Sequence, residues 1–539
     1  MSRQSASTAR QPSNEARVTE ILDRLVVLRA QFLKNVGDAT LDFAKPIEDE
    51  AALVGLSAHD RARAKRRAEA AGQPGYVLTL DEPSYWAVAT RSDDRALRKL
   101  MYEAYFTRAS DHGPRKGRFD NTPVVLEILE LEHELAKLFK FKNYAAYALY
   151  GGPIEDPDLG ERFLTKLSRP TRAKAQAEID KLWAFAREKG VPRGFAQWDL
   201  TYYAACYQRE VLHIDDVAIR AHFLLADVIS GLLSLCNTLL GVSIEPVTAG
   251  VPFNLRQTYR ITGADGSALA LLDVDPYAED DDLFEAFVHL GKNADGERAL
   301  SIQGGLEAPF DETSVLLSHA EVERFFRAFG RGLFLVLSQT DSCLGPIEHD
   351  RDVASRVAGA YFAHFASHYD TLTMFAKHHE TRAPLPKKLF DQIAECSNVH
   401  EHIWKAQAID LSLFDIRIHR DHIEAESATQ LRSQIQDTFM QVRREQAVLP
   451  PSYWTRLAET SASLFVHGQG SRLWEVDWAI QHAAELFAHF EANGFSRATA
   501  KRYRETFWAA NESRVTERLS AALEKTPDQL FGARLMAAP

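Results

Sequence analysis

The sequence predicts a mostly α protein with one small β-sheet. Apolar residues recur at helical spacing along most of the chain, capping residues punctuate those runs, and one stretch alone changes to the two-residue period of strands. Leu22, Leu25, Val26 and Phe32 set the first helical stripe. Comparable stripes predict helices over residues 124–141, 159–189, 217–240, 320–337, 354–375, 389–413, 428–448 and 476–493. Ser57, and Asp81 followed by Glu82 and Pro83, read as helix starts; Gly190 and Gly241 read as stops. The exception runs from Thr258 to Thr262, through Gly263-Ala-Asp-Gly266, to residues 268–273, and predicts a hairpin with a glycine-containing turn. Residues 299–302 predict one further strand.

At 539 residues the chain is long enough for two or more cores, and 45% hydrophobic with 26% charged residues excludes the disordered and fibrous classes. A net charge of -12 opposes phosphate backbones and anionic lipid heads, which argues against nucleic acid or membrane as a main partner. Cys206, Cys236, Cys343 and Cys396 are far apart and form no Cys-x-x-Cys pair. Reduced thiols in a cytoplasmic protein are therefore expected, not disulfides or a zinc knuckle. No apolar run approaches the roughly 18 residues of a membrane span. Residues 1–18 open with Ser, Gln, Arg and Asn, lack the apolar segment of a secretory signal, and read as a disordered tail.

Six strings, in order along the chain, resemble the oligopeptidase A and thimet oligopeptidase family of zinc peptidases. They are Leu78-Thr-Leu-Asp-Glu-Pro-Ser-Tyr85, Met101-Tyr-Glu-Ala-Tyr-Phe-Thr-Arg-Ala-Ser110, Phe119-Asp-Asn, Trp198-Asp-Leu-Thr-Tyr-Tyr203, His379-Glu-Thr with Pro384-Leu-Pro386, and Leu413-Phe-Asp-Ile-Arg-Ile-His419. The resemblance runs from about residue 20 to the end, and a first N-terminal segment carried by full-length members is expected to be missing. It implies a two-lobed helical fold with a deep central channel, the lobes built from interleaved segments. One helical lobe is expected from residues 19–200 with 400–539. The other, residues 201–399, carries the sheet and the helices of the metal site.

That family carries His-Glu-Phe-Gly-His on a helix, in which two histidines bind zinc and the glutamate activates a water. The matching stretch is Arg327-Ala328-Phe329-Gly330-Arg331, in a family frame kept by Ser318-His-Ala-Glu-Val322 before it and Gly332-Leu333 after it. The third ligand, a glutamate on the next helix, falls on Arg356 at the family's spacing. Arginine stays protonated and has no lone pair for a metal, and Ala328 cannot accept a proton from water. The family's His and Gly-Tyr-x-x-x-Tyr-Tyr, which stabilise the oxyanion, match Ser463-Leu-Phe-Val-His467-Gly-Gln469-Gly-Ser-Arg472-Leu-Trp474. Gly468 persists there, while Gln469, Leu473 and Trp474 hold the tyrosine positions and Ser463 the histidine position. No cofactor and no catalytic or metal-binding residue is therefore expected.

The functional reading of Arg327, Arg331 and Arg356 is an anion pocket, joined by Gln469, Arg472, His467 and Trp474. Three guanidinium groups drawn together need balancing anions, and a carboxylate or phosphate ligand supplies bidentate contacts. The bland reading makes Arg324, Arg327 and Arg331 the polar face of an amphipathic helix, with Glu323 and Arg327 an i, i+4 pair, or has internal Asp and Glu partners fill the site. His364 and His368, four apart, have zinc-chelating spacing, but such histidines are more often packed or solvated. Cys343 near His349, and Ser463 near His467, lack the orienting third group of a nucleophilic site.

Three functions stay open on sequence alone. The first is an inactive homologue that keeps the channel to bind a peptide, an anionic small molecule or another protein. The second is a metal-free enzyme whose arginines hold a carboxylate- or phosphate-bearing substrate, as in specialised biosynthesis. The third is a peptidase with a rebuilt site.

Overall fold

The structure is a computed structural model that describes residues 14–191, 194–248, 256–277, 287–292, 297–303, 315–338, 346–397, 399–421, 427–449, 455–466, 470–508, 513–526 and 529–530. The chain is mostly helical, as its periodicity predicts. Six helices matter for the site: α1 (Asn14–Asp42), α2 (Thr122–Leu138), α3 (His319–Leu337), α4 (Pro346–Phe365), α5 (Glu401–Arg420) and α6 (Trp474–Ala492). Part of the expected tail is helical, since α1 begins at Asn14 and buries Ile21, Leu25, Leu28 and Phe32. Residues 1–13 lie outside the described residues. Cys206 and Cys236 are buried free thiols, and Cys343 lies outside the described residues.

Three long apolar stripes break into separate helices. Residues 217–240 form Asp216–Arg220 and Leu225–Leu240, because Leu224 bridges to Leu316 and the Leu225 N–H is given to Val315 instead of closing a helical turn. Residues 354–375 break where His368 takes an extended backbone ahead of Tyr369–Phe375. Residues 389–413 divide between Lys387–Ser397 and α5.

One sheet was expected; among the described residues there are two. β1 (Lys45–Ile47) pairs with β2 (Tyr76–Leu78) in a two-stranded sheet too short to show a period in sequence. The other has five strands: β3 (Ser243–Pro246), β4 (Gln257–Thr262), β5 (Ala268–Asp275), β6 (Phe287–Lys292) and β7 (Arg298–Gln303), in the order β3-β4-β5-β7-β6. The predicted hairpin is β4–β5. Gly266 takes φ 81 in its turn, and Gly263 both donates to Ser267 and accepts from Gly266. β5 and β7 run parallel, while the remaining neighbours are antiparallel.

Two compact units divide the chain, each made of separated segments. One comprises Met1–Val88, Ser92–Leu149 and Asp410–Leu473; the other comprises Ala89–Arg91, Tyr150–Ile409 and Trp474–Pro539. Residues 150–200 and 474–539 group with the sheet and with α3 and α4.

Helices α3 and α4 pack unusually close. A Cβ at Gly330 would lie 2.5 Å from Phe362 Cβ and 2.8 Å from the Ala358 carbonyl oxygen, and one at Gly359 would lie 2.7 Å from the Arg327 carbonyl oxygen. Each glycine thus lets the partner backbone occupy the space of a side chain. Behind α3, a Cβ at Gly332 would meet Leu300 of β7 at 2.7 Å, so the sheet backs the same helix. Gly330→Ala should therefore lower stability by about 2–3 kcal/mol through overpacking against backbone. Gly37→Ala, on α1 with nothing within 4 Å of the new methyl, should be neutral or stabilising by up to about 1 kcal/mol. Urea denaturation of the two variants beside the parent chain measures the contrast.

Candidate functional site

The site is built on the facing sides of α3 and α4. Ser318 caps α3: its Oγ accepts from the Glu321 N–H at 3.3 Å, while Glu321 Oε2 accepts from the Ser318 N–H at 2.6 Å. Val322, Phe325, Phe326, Phe329 and Leu333 are buried, which leaves His319, Glu323, Arg327 and Arg331 on a four-residue repeat as a polar stripe. Partners on α4 and just past its end meet most of that stripe. His319 Nε2 donates to the Ala366 carbonyl oxygen at 2.8 Å, and Glu323 accepts from Ser367 Oγ at 2.5 Å. Arg331 Nη2 donates to Asp352 Oδ1 at 2.9 Å and its Nε to Ser355 Oγ at 3.3 Å.

Asp352 also takes Arg356, whose Nε and Nη2 each lie 3.2 Å from Asp352 Oδ2. One carboxylate is therefore shared by two of the three arginines singled out in the sequence, one on each helix. Arg327, one turn from Arg331, is exposed, and the structure gives it no hydrogen bond or ion pair among the described residues. The expected Glu323–Arg327 pair is not formed; Glu323 is turned to Ser367 and, at 3.9 Å, to His319. The field of Arg327 is felt nearby. His364 is held below its usual pKa first by burial and then by the Arg327 guanidinium.

Other sequence candidates find other partners. His364 stacks on Phe487 at 5.2 Å, and His368 stacks on Phe495 at 4.5 Å with its Nε2 3.5 Å from Glu491. The two histidines thus pack on aromatic rings and do not converge on a common point. Among the described residues no group of three or more His, Cys, Asp and Glu side chains is arranged to hold a metal ion. His349 Nε2 lies 2.6 Å from Glu475 Oε1 of α6, and its Nδ1 donates to the Tyr150 carbonyl oxygen at 3.1 Å. Both nitrogens are engaged, which leaves no free base for Cys343.

Trp474, the first residue of α6, is fully buried with its ring 6.0 Å from Phe163. Arg472 is half-buried, Ser463 is exposed, and His467 and Gln469 lie outside the described residues. Sequence reasoning passed over Asp352, although its i, i+4 spacing to Arg356 was a readable signal.

A model of Peptidase family M3 matches residues 88–529. The chain is 31% identical over 502 residues to oligopeptidase A of Salmonella typhimurium, covering 91% of this chain and 73% of that protein. It is 30% identical to oligopeptidase A of Escherichia coli over the same shares. A crystal structure of oligoendopeptidase-F from Enterococcus faecium superposes with a TM-score of 0.50 at 9% identity, covering 97% of this chain and 76% of that one. The chain belongs to Peptidase family M3.

Asp352→Ala should leave two partly buried guanidinium groups without their shared anion, and should cost about 1–3 kcal/mol. Arg331→Ala leaves the Asp352–Arg356 pair intact and should cost less. Denaturation midpoints for both variants give the ranking, and the reverse order would show that Asp352 does not hold the pair.

Proposed function

We propose that this member of Peptidase family M3 does not hydrolyse peptides through a zinc-bound water, and instead uses the seam between α3 and α4 to bind an anion: the carboxylate of a peptide or an anionic small molecule. The observation that carries the reading is the charge balance of the seam. Arg331 and Arg356 share one carboxylate, Asp352, and Arg327 beside them is exposed.

The zinc that the family resemblance implies does not fit these residues. At the ligand positions stand side chains with five N–H donors and no acceptor, and at the position of the base stands Ala328, which is buried. The aspartate within reach is held by two guanidinium groups, so its lone pairs are directed at protons. A dication placed among those cations meets repulsion before it meets a donor. The same arrangement suits an anion, because a carboxylate or phosphate takes the paired N–H groups of a guanidinium edge. A peptide carboxylate is among the candidates because relatives at 30–31% identity are named oligopeptidases.

Thermal unfolding of the full chain with succinate, inorganic phosphate and a short free-acid peptide tests the reading. At least one should raise Tm by roughly 2–5 °C near saturation. The shift should vanish in Arg327→Ala with Arg331→Ala, and should grow in Asp352→Ala, where the ligand replaces the missing carboxylate. A shift that survives the double arginine substitution would reduce those residues to a solvated helix face.

A further inference from the structure

A second buried polar cluster lies in the other unit, within the last of the six quoted strings. His419 and Asp415, one turn apart on α5, have no exposed side-chain surface, and Glu132 of α2 has 1%. His419 Nδ1 donates to the Asp415 carbonyl oxygen at 2.8 Å and lies 3.2 Å from Asp415 Oδ1, while its Nε2 lies 3.4 Å from Glu132 Oε2. Both ring nitrogens thus face acceptors only, which is the environment of a doubly protonated ring. Arg29 of α1 completes the cluster, with Nη2 3.1 Å from Glu132 Oε1 and Nε donating to the Phe465 carbonyl oxygen at 2.9 Å. Two cations and two carboxylates balance, so burial is sustainable.

The cluster is joined to one stretch of irregular backbone. Asp415 Oδ2 accepts from the Leu473 N–H at 3.2 Å, and the same carboxylate accepts from the Ser471 N–H. Ser471 is buried with φ 67, a left-handed conformation that a non-glycine residue keeps only when its surroundings impose it. Gly470 is wedged between rings, since a Cβ there would lie 2.9 Å from His419 Nε2 and 2.9 Å from Tyr144 Cε1. These residues carry Arg472, a candidate ligand residue.

We propose that His419, held as an imidazolium between Glu132 and Asp415, is the positioning residue for the backbone at 470–473: it keeps Asp415 ionised, and Asp415 fixes the segment from which Arg472 projects. What Arg472 binds rests on the anion-binding reading; how its backbone is held does not. Electrostatics agree with the geometry. Burial pulls the His419 pKa down, but the close carboxylates of Asp415 and then Glu132 outweigh it and lift it to about 10. Burial raises the Asp415 carboxyl, and His419 with the Ser471 and Leu473 N–H groups opposes that rise. The groups facing the ring are Arg29, Glu132, Tyr144 and Asp415, and burial raises the Tyr144 phenol well above its usual value. A histidine raised in the folded state contributes stability in full below its unfolded pKa, and loses it as pH rises through about 10.

Two measurements on the full chain test this, neither of which needs a ligand. In a chain labelled with 15N-histidine, one imidazolium should persist at pH 9, where ordinary histidines are neutral, and it should be absent from His419→Gln. In hydrogen exchange, Asp415→Asn should speed the amides of Ser471 and Leu473 by about tenfold or more while α2 changes less than about twofold. Absence of an imidazolium at pH 9 in the parent chain overturns the proposal. So does exchange that is unchanged at 470–473, or that rises equally throughout the unit, which marks a merely structural role.

Discussion

The contact between α3 and α4 is the constraint on which the rest of the site depends. Gly330 and Gly359 remove the side chains that would hold these helices apart, and each faces backbone of its partner. At that separation, Arg331 lies along the seam within reach of α4, while Arg327 one turn before it stays exposed. Arg331 and Asp352 pair across it, and Arg356 joins from one turn further along α4. The sheet behind α3, touching at Gly332 and Leu300, leaves that helix little room to shift. Close packing therefore decides which polar groups interact before their own chemistry is considered.

The same geometry accommodates two kinds of bracing. A metal ion between two helices draws them together through donors on each, whereas here a carboxylate shared by two guanidinium groups spans the seam with hydrogen bonds. The second arrangement leaves a surplus of positive charge because one anion serves more than one cation, and Arg327 adds to it. On the proposed reading, that charge at the seam would favour an anion over a cation. Membership of Peptidase family M3 sets the scaffold, while the side chains on the seam set what it can hold.

Much of this was legible in sequence, and the gaps have physical causes. The helices of the site, the β4–β5 hairpin and the surviving Gly330 were readable because amphipathic period, turn residues and motif frame report local structure directly. The breaks at Leu224 and His368 were not, since they follow from a bridge to Leu316 and an extended cap inside stripes that keep an apolar rhythm. The three-residue strands β1 and β2 are too short to show a period. At the site, the arginine positions were readable from the motif. Their sharing of Asp352, and the turning of Glu323 to Ser367 in place of Arg327, are side-chain pairings that linear spacing leaves open. His419 lay inside a quoted string with Asp415 four residues before it, yet its partner Glu132 is contributed by a distant helix.

The central claim is that α3 and α4 present protonated side chains where the family fold would place metal donors. Zinc content of the purified chain, measured by elemental analysis after equilibration with zinc and removal of loosely bound ion, tests it most directly. The account predicts far less than one zinc per chain, and binding restored only when Arg327→His, Ala328→Glu, Arg331→His and Arg356→Glu are combined. One zinc per parent chain, together with peptide cleavage that a chelator abolishes, would contradict it.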